Sequence, residues 1–350
     1  MLVIPLKSNM YKNKNYFFRI NSDIKIGLGH LARCLILAKF LKNNCHFIID
    51  KKKNEFIKNL NVNLIPLYSN GKFKNESNDA SLVNNVIKKF NNVYIIVDDY
   101  RLGIKWHKYF RKKNIKIIVI DDLLNRKFDS DIYLNFKLDH SKEFTSKITS
   151  LINRNTIKLV GPKYSIFDKN LKKKKDKFFN VMLNLGNSFD FNNTSQHIIN
   201  VYKFLNERIK RLRFYITVGH GAKNYQSLVK YSVKNDNFEI IFKKFGISRY
   251  LNKVDLFIGS ASTSIYEMSF LKIPSIFIVL NKTQDYKITE IEKLGHYFLI
   301  DYLEFKDEIF FKFLDGYIKN LRKIQNLFSS RKVSIDNLGA RRVIEEIKKI

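Results

Sequence analysis

Residues 18–33 read FRINSDIKIGLGHLAR, and this stretch decides how the rest of the chain is interpreted. A β-rich run ends near Ile20, a loop containing Gly27 and Gly29 follows, and a helix begins with His30 in its first turn. The glycine spacing is neither that of a dinucleotide-binding fingerprint nor that of a P-loop. A strand, a glycine-containing loop and a helix in this order still indicate an α/β sheet that binds a ligand at the carboxyl ends of its strands.

Apolar runs alternate with helical patterns along the whole chain. Runs that are apolar on both faces predict parallel strands covered by helices on both sides. The predicted strands are 16–20, 45–49, 63–67, 93–97, 116–120 and 132–134, and then 178–185, 212–218, 238–242, 256–258 and 275–280. Because the pattern restarts after a lysine-rich run, we expect an α/β fold of two Rossmann-like domains facing a central cleft. The expected boundaries are 1–168 for the N-terminal domain with the histidine loop, 169–177 for the linker, and 178–350 for the C-terminal nucleotide-binding domain, its final helix free to pack back on the first domain.

Composition narrows the class of protein without selecting a partner. The formal net charge is +32, from 64 basic and 32 acidic residues, but the lysines are spread along the chain rather than gathered on one element with stacking aromatics. We therefore expect no specific nucleic acid partner. Two cysteines, Cys34 and Cys45, do not form a disulfide framework. The short apolar N-terminus and the lack of a long apolar segment predict a cytoplasmic protein without stable membrane insertion. We also expect a monomer.

His30 is the best catalytic candidate in the chain. A helix start presents unpaired N–H groups and the positive end of the helix dipole, which favour phosphate or developing negative charge. The same dipole opposes a positive charge on the imidazole, so a neutral ring able to accept a proton from water is expected. A surface or capping histidine is the alternative interpretation, and the adjacent Gly27 and Gly29 favour the catalytic one.

A second motif, Gly259-Ser260-Ala261-Ser262-Thr263-Ser264-Ile265-Tyr266-Glu267, joins a predicted strand to a predicted helix. Its amides and hydroxyls are suited to a diphosphate at the helix start. Glu267 lies about one turn into that helix, where its carboxylate can accept hydrogen bonds from ribose hydroxyls. A serine cluster that caps the helix, with a glutamate favoured by the dipole, remains the alternative.

Together these residues resemble the UDP-sugar hydrolases of pseudaminic acid biosynthesis, in the GT-B-like superfamily that also contains the peptidoglycan N-acetylglucosaminyltransferase. The Gly-x-Gly-His-x-x-Arg block is the most specific part, and the resemblance covers about residues 16–346. The other supporting segments are Val97-Asp98-Asp99-Tyr100, Ile120-Asp121-Asp122-Leu123, Asp131-Ile132-Tyr133-Leu134-Asn135, Gly161-Pro162-Lys163-Tyr164-Ser165 and Asn337-Leu338-Gly339-Ala340-Arg341-Arg342-Val343.

The resemblance implies hydrolysis of UDP-2,4-diacetamido-2,4,6-trideoxy-β-L-altropyranose to UDP and free sugar with inversion, without a protein nucleophile, a metal or a cofactor. It implies His30 and Tyr100 as catalytic residues. The implied substrate ligands are Gly27, Gly29, Arg33, Asn135 and Tyr164. The implied nucleotide ligands are Gly186, Asn187, Ser188, Ser260, Ser262, Thr263, Ser264, Glu267 and Gln284.

Several positions depart from the pattern of that family. Asp99 stands where histidine is usual, Asp168 where arginine is frequent, Asn187 and Phe189 alter a Gly-Gly-Thr-Asp segment, and Thr283 replaces asparagine. These departures leave the identity of the sugar open. A GT-B glycosyltransferase, in which His30 deprotonates an acceptor hydroxyl, is the second enzymatic interpretation. A noncatalytic nucleotide-sugar binder or a nucleic-acid-binding protein is the interpretation from another class.

Overall fold

A computed structural model describes residues 14–21, 29–41, 44–50, 62–68, 72–139, 141–219, 221–242, 247–280, 288–295 and 297–350. These residues form two compact units. The first unit contains the described residues within 1–22, 30–164 and 340–350, and the second contains those within 23–29 and 165–339.

The first unit is built on a seven-stranded sheet in the order β3-β2-β1-β4-β5-β6-β7, and all of its described strand pairs are parallel. Its strands are β1 Asn15–Ile20, β2 Cys45–Ile49, β3 Asn63–Pro66, β4 Val93–Asp98, β5 Lys116–Ile120, β6 Ile132–Asn135 and β7 Ile157–Val160. Its helices are α1 Gly29–Leu41, α2 Glu76–Ile87, α3 Ile104–Arg111 and α4 Lys142–Leu151.

The second unit has a six-stranded parallel sheet in the order β10-β9-β8-β11-β12-β13. Its strands are β8 Phe179–Asn184, β9 Leu212–Val218, β10 Phe238–Phe242, β11 Leu256–Ser260, β12 Ser275–Val279 and β13 Phe298–Asp301. The described helices that follow β8 are α5 Ser195–Arg208, α6 Gln226–Ser232, α7 Ser248–Leu251, α8 Ser264–Leu271, α9 Ile288–Gly295, α10 Tyr302–Lys306, α11 Ile309–Lys319, α12 Leu321–Asn326 and α13 Gly339–Lys349. The predicted α/β class with two Rossmann-like domains is confirmed.

Apolar strands explain why both sheets are buried on two faces. All six residues of β4 are buried, and Trp106 and Phe110 of α3 pack with Ile95 and Val97 in one apolar cluster. The helical pattern of the sequence predicts a helix over about 81–90. In the structure α2 begins earlier, at Glu76, because the side chain of Asn75 caps it by accepting a hydrogen bond from the amide of Asn78 at 2.9 Å.

The lysine-rich run predicted as a linker lies against the second unit. The amides of Lys172 and Lys174 donate to the side-chain and backbone oxygens of Asn252, at 2.8 and 2.6 Å. Lys173 pairs with Asp255 at 2.9 Å. The backbone of this run is therefore held in place while its lysine side chains are largely exposed.

The final helix α13 groups with the first unit rather than with the residues that precede it. Arg342 donates to the carbonyl of Lys163 at 2.9 Å, and the hydroxyl of Tyr94 donates to the backbone oxygen of Ile350 at 3.1 Å. Within the described part of the chain, no helix combines the length and apolar composition needed to cross a bilayer.

Candidate active site

The two sequence motifs lie at corresponding places in the two sheets. In the first unit the strand order reverses where β1 and β4 are adjacent, and Ile20 of β1 is in register with Asp98 of β4. In the second unit the same reversal occurs between β8 and β11. Open parallel sheets bind ligands outside the strand ends next to such a reversal. His30 lies in the helix that follows β1 and Ser260 ends β11, so each motif lies at the carboxyl end of its own sheet, next to the reversal.

His30 forms a close pair with Asp98. His30 is the second residue of α1 and is buried, and its Nδ1 lies 2.5 Å from Oδ1 of Asp98, the fully buried last residue of β4. Because an ionised carboxylate only accepts hydrogen bonds, Nδ1 carries the proton in this contact. The lone pair of the neutral ring is then on Nε2, which can accept a proton from a hydroxyl group or from water.

Arg33 joins Asp98 to a second carboxylate. Its Nε and Nη2 donate to the two oxygens of Asp98, both at 2.6 Å, and its Nη1 donates to Oδ2 of Asp122 at 2.7 Å. Burial acts to raise the pKa of Asp98, but Arg33 and His30 beside it hold that pKa well below its ordinary value. Asp98 is therefore a carboxylate at neutral pH, as its contact with His30 requires.

The ring of Tyr100 packs against the imidazole ring of His30. The ring centroids of Tyr100 and His30 are 4.6 Å apart and the rings meet edge to face at 79°. The Tyr100 hydroxyl donates to Oδ2 of Asp122 at 2.9 Å. Burial, together with the charge of Asp122, raises the pKa of Tyr100 well above its ordinary value. The phenol therefore stays protonated at neutral pH and can orient a ligand but not act as a base.

Asp99, which stands where the resembled family has histidine, belongs to a buried ion network. Arg101 donates to both of its oxygens, at 2.9 and 2.6 Å, and Arg19 lies 3.7 Å away. Arg19 is also paired with Asp79 at 2.6 Å and with Asp50 at 2.7 Å. No group of three or more His, Cys, Asp or Glu side chains in the described residues is arranged to hold a metal ion.

Two of the predicted substrate ligands have structural partners. Asn135 is fully buried, its Oδ1 accepts from the amide of Lys137 at 3.0 Å, and its Nδ2 lies 3.4 Å from the hydroxyl of Tyr133. Tyr164 ends a short 3-10 helix and lies under the ammonium group of Lys163, 5.0 Å from the ring centroid. Substrate contacts of Asn135 and Tyr164 remain predictions.

The glycines of the first loop are only partly described. Gly27 lies outside the described residues. Gly29 begins α1, is exposed, and no atom of the described residues lies within 4 Å of the place that its Cβ would occupy. The described part of the fold therefore does not require a glycine there. Within the described residues, Arg33 is the predicted substrate ligand that contacts His30.

The loop after β11 gathers hydroxyl groups around the first turn of α8. Ser264 Oγ donates to the carbonyl of Ser260 at 3.1 Å, and the Oγ atoms of Ser262 and Ser264 are 3.2 Å apart. Thr263 is exposed and occupies the N-cap position without making a capping hydrogen bond through its side chain. Its hydroxyl therefore does not cap the helix, and contact of Thr263 with a ligand remains a prediction.

Glu267 is an acidic side chain without a recorded hydrogen bond or ion pair among the described residues. It lies in the first turn of α8 and is partly buried. Burial, and to a lesser degree the charge of Asp168, raises the pKa of Glu267 to about 7. Asp168 is held near it because Phe167 packs on Phe270 of the same helix, with ring centroids 5.6 Å apart, and because Ser248 donates to Asp168 at 2.6 Å.

The loop after β8 is held by the loop after β9. Gly186 has a φ of +97°, which a side chain would strain. The amide of Gly221 donates to the carbonyl of Asn187 at 3.0 Å, and a Cβ on Gly219 would lie 2.2 Å from that same carbonyl oxygen. Ser188 is partly buried. Gln284 lies outside the described residues, so its predicted role is not addressed by the structure.

Sequence reasoning did not include Asp98 and Asp122 among the site residues. Both were visible as acidic residues at the ends of apolar strands, 93–97 and 116–120. What the sequence could not show is that Arg33 bridges them, since that contact joins residues 65 and 89 positions apart.

Comparison with known proteins agrees with this architecture. Residues 170–341 match the glycosyltransferase family 28 C-terminal domain. The crystal structure of Anabaena HepE in complex with UDP and glucose superimposes with a TM-score of 0.59, at 12% identity, over 97% of this chain and 100% of that one. The fold is GT-B-like.

Two relatives match most of the chain at low identity. An uncharacterized protein of Methanocaldococcus jannaschii is 25% identical over 91% of this chain and 67% of its own length. The UDP-2,4-diacetamido-2,4,6-trideoxy-β-L-altropyranose hydrolase of Campylobacter jejuni is 23% identical over 80% of this chain and 96% of its own length.

Proposed function

We propose that this protein hydrolyses a UDP-activated sugar, with His30 as the base that activates water. The single observation that carries the proposal is the pair formed by His30 Nδ1 and Asp98 at the switch point of the first sheet. It leaves Nε2 as the proton acceptor on a residue whose sequence context resembles a UDP-sugar hydrolase. The 23% identity to the Campylobacter jejuni hydrolase supports the same reaction.

The nucleotide would be bound by the second unit. The amides and hydroxyls of Ser260–Ser264 would contact the diphosphate at the start of α8. Glu267 would accept hydrogen bonds from the ribose hydroxyls, because its carboxylate has no recorded partner among the described residues. Gly186, Asn187 and Ser188 at the end of β8 would line the same region, next to β11 in the sheet.

The reaction follows from these assignments. A water oxygen bonds to the anomeric carbon, the bond from that carbon to the diphosphate oxygen breaks, and the electron pair of that bond stays on UDP. The proton of the attacking water passes to Nε2 of His30, and Asp98 stabilises the resulting imidazolium through Nδ1. Donors at the start of α8 stabilise the charge that develops on the leaving diphosphate. Attack opposite the leaving group inverts the anomeric configuration.

The test is turnover of a panel of UDP-sugars that includes the diacetamido-trideoxy sugar, followed by NMR detection of UDP and free sugar in buffer with EDTA. His30→Asn is expected to lower kcat by about 100-fold or more while UDP still binds, since general-base catalysis contributes this much. His46→Asn, a histidine on β2 of the same unit, is the matched control and should keep wild-type turnover. If His30→Asn hydrolyses the substrate at a rate close to wild type, the base has been assigned wrongly.

A glycosyltransferase is the second candidate function, and the match of residues 170–341 to a glycosyltransferase domain favours it. The same Nε2 would then deprotonate an acceptor hydroxyl in place of water. The two functions are separated by the product: release of free sugar in the absence of any acceptor supports the hydrolase. Consumption of the UDP-sugar only when an acceptor is added supports the transferase.

A further inference from the structure

Asp122 lies on the same edge of the first sheet as Asp98, one strand further along. It is the second residue after β5, just as Tyr100 is the second residue after β4, and β4 and β5 are paired with Val97 opposite Val119. Tyr100 and Asp122 are therefore the same number of residues beyond this pair, and the Tyr100 hydroxyl lies 2.9 Å from Oδ2 of Asp122. The register of β4 and β5 explains the contact.

Two donors converge on one oxygen of Asp122. Arg33 Nη1 donates to Oδ2 at 2.7 Å, and the Tyr100 hydroxyl donates to the same atom. The Asp122 side chain is only 20% exposed and that of Arg33 only 6%. A guanidinium nitrogen buried to this extent needs an acceptor, because leaving a buried donor unpaired is destabilising.

Both donors also define the surroundings of His30. Arg33 holds the two oxygens of Asp98, one of which accepts from His30, and Arg33 Nη2 lies 3.2 Å from His30 Nδ1. Tyr100 covers one side of the imidazole ring. Asp122 itself has no recorded contact with His30, so any influence on the ring passes through Arg33 and Tyr100.

Its neighbour Asp121 has a different set of partners. Oδ2 of Asp121 accepts from the amide of Leu124 and the hydroxyl of Tyr133, both at 3.0 Å, and Oδ1 accepts from Arg126 at 3.0 Å. These contacts fix the turn after β5. Of the two adjacent aspartates, Asp122 is the one joined to the groups around His30.

We propose that Asp122 is a positioning residue: by anchoring Arg33 and Tyr100 it keeps Asp98 directed at Nδ1 of His30, and so keeps Nε2 available as the proton acceptor. The kinetic consequence rests on the proposed function. The structural consequence, which concerns the proton on the imidazole of the free protein, does not.

The first test reads the imidazole directly. In ¹⁵N NMR spectra at a pH where the ring is neutral, wild-type His30 should be protonated on Nδ1, and its signals are assigned among the seven histidines by their loss in His30→Asn. Asp122→Asn should shift the population toward the Nε2-protonated form. Asp129→Asn is the matched control, because it removes an aspartate–arginine pair, with Arg111, from the turn before β6. A His30 spectrum identical in the Asp122 and Asp129 variants overturns the proposal.

The second test separates rate from binding. Asp122→Asn should lower kcat about tenfold or more while the Kd for UDP is unchanged, because small displacements of a catalytic group have effects of this size. Asp122→Glu retains a carboxylate for Arg33, whereas the amide of Asp122→Asn lacks the negative charge, so the glutamate variant should recover most of the loss. The glutamate variant also covers the case in which Asp122→Asn folds poorly. If a well-folded Asp122→Asn keeps wild-type kcat, positioning by Asp122 is refuted. If the wild type turns over no UDP-sugar, the proposed function fails while the NMR result still decides the role of Asp122.

Discussion

At His30 the contact with Asp98 selects the ring nitrogen that carries the proton. A hydrogen bond to an ionised partner contributes about 1.5–3 kcal/mol, and here it places the proton on Nδ1. The helix start favours negative charge on a nearby ligand but does not choose between the two ring nitrogens. The carboxylate of Asp98 therefore determines how this histidine can act, and the sequence around His30 does not reveal that contact.

Glu267 predicts a pH dependence of nucleotide binding. Its pKa is raised to about 7, first by burial and then by Asp168, so the carboxyl group gains a proton as the pH falls from 8 to 6. Only the ionised form accepts hydrogen bonds from both ribose hydroxyls with full charge assistance. The affinity for UDP-N-acetylglucosamine, whose diphosphate does not titrate in this range, should therefore fall about tenfold from pH 8 to pH 6.

Calorimetry across this range checks the prediction. Glu267→Gln should bind more weakly at pH 8 and lose the pH dependence. Asp168→Asn removes one of the two causes of the raised Glu267 pKa, so the midpoint of the affinity change should move to lower pH. Asp315→Asn, on α11 of the same unit, should change neither the affinity nor the pH of that midpoint. Affinity that stays constant from pH 6 to pH 8 in the wild type would show that Glu267 does not contact the ribose as an anion.

The limits of sequence reasoning are clearest among the site residues. His30 was predicted from its local motif, Arg33 and Tyr100 from the family resemblance, and the three lie together in the structure. Asp98 and Asp122 stood in the segments of that resemblance without an assigned role, because their importance depends on contacts made across the sheet. Asn135 was likewise implied by the resemblance; its Oδ1 accepts from the amide of Lys137, and its substrate contact stays a prediction.

At the scale of elements, periodicity predicted the strands well because buried parallel strands are apolar on both faces. All eleven strands predicted in the sequence occur, and the short β7 and β13 were missed. These two have only four residues each, and most positions in them are incompletely buried, so their hydrophobic signal is weak. Helix starts were less accurate, since the start of α2 is set by a single capping side chain.

Substitution of two glycines at strand–helix connections, Gly29 and Gly186, should affect the free energy of unfolding differently. Gly29→Ala should leave the free energy of unfolding within about 0.5 kcal/mol of wild type, because no described atom lies close to the added methyl group and the φ of Gly29 is not left-handed. Gly186→Ala should cost about 1 kcal/mol or more, because φ there is +97°. Urea unfolding of both variants measures the difference.

Measuring turnover of Gly29→Ala then shows whether this glycine is needed for ligand binding, in addition to its effect on stability. If Gly29 is a glycine because the substrate approaches its backbone, Gly29→Ala should reduce kcat/KM about tenfold in a fully folded protein. Wild-type turnover of Gly29→Ala would mean that this glycine has no part in the site.

For the whole molecule, the net charge is a poor guide to the charges at the carboxyl edge of the first sheet. The chain carries a formal +32, yet among the described residues the ion pairs at the carboxyl edge of the first sheet contain more aspartates than arginines. The residues concerned are Asp50, Asp79, Asp98, Asp99, Asp121 and Asp122, with Arg19, Arg33, Arg101 and Arg126. These described carboxylates disfavour a diphosphate at this edge and would stabilise the imidazolium that the proposed reaction forms on His30, which supports the proposal that the second unit binds the diphosphate.

The stability of the first unit depends on α13, which is distant from the rest of that unit in sequence. Val343, Ile344 and Ile347 of α13 are buried, and the helix is bonded to Lys163 and Tyr94 of the first unit. Ile347→Ala should therefore cost about 2–4 kcal/mol, and the loss should appear in the first unit. Hydrogen exchange measured by mass spectrometry should show faster exchange in the described segments within 14–164, with little change in 178–338. Glu345→Ala, on the exposed face of the same helix, should alter neither region. Faster exchange confined to residues 300–338 would instead mean that α13 is stabilised by the unit that precedes it in sequence.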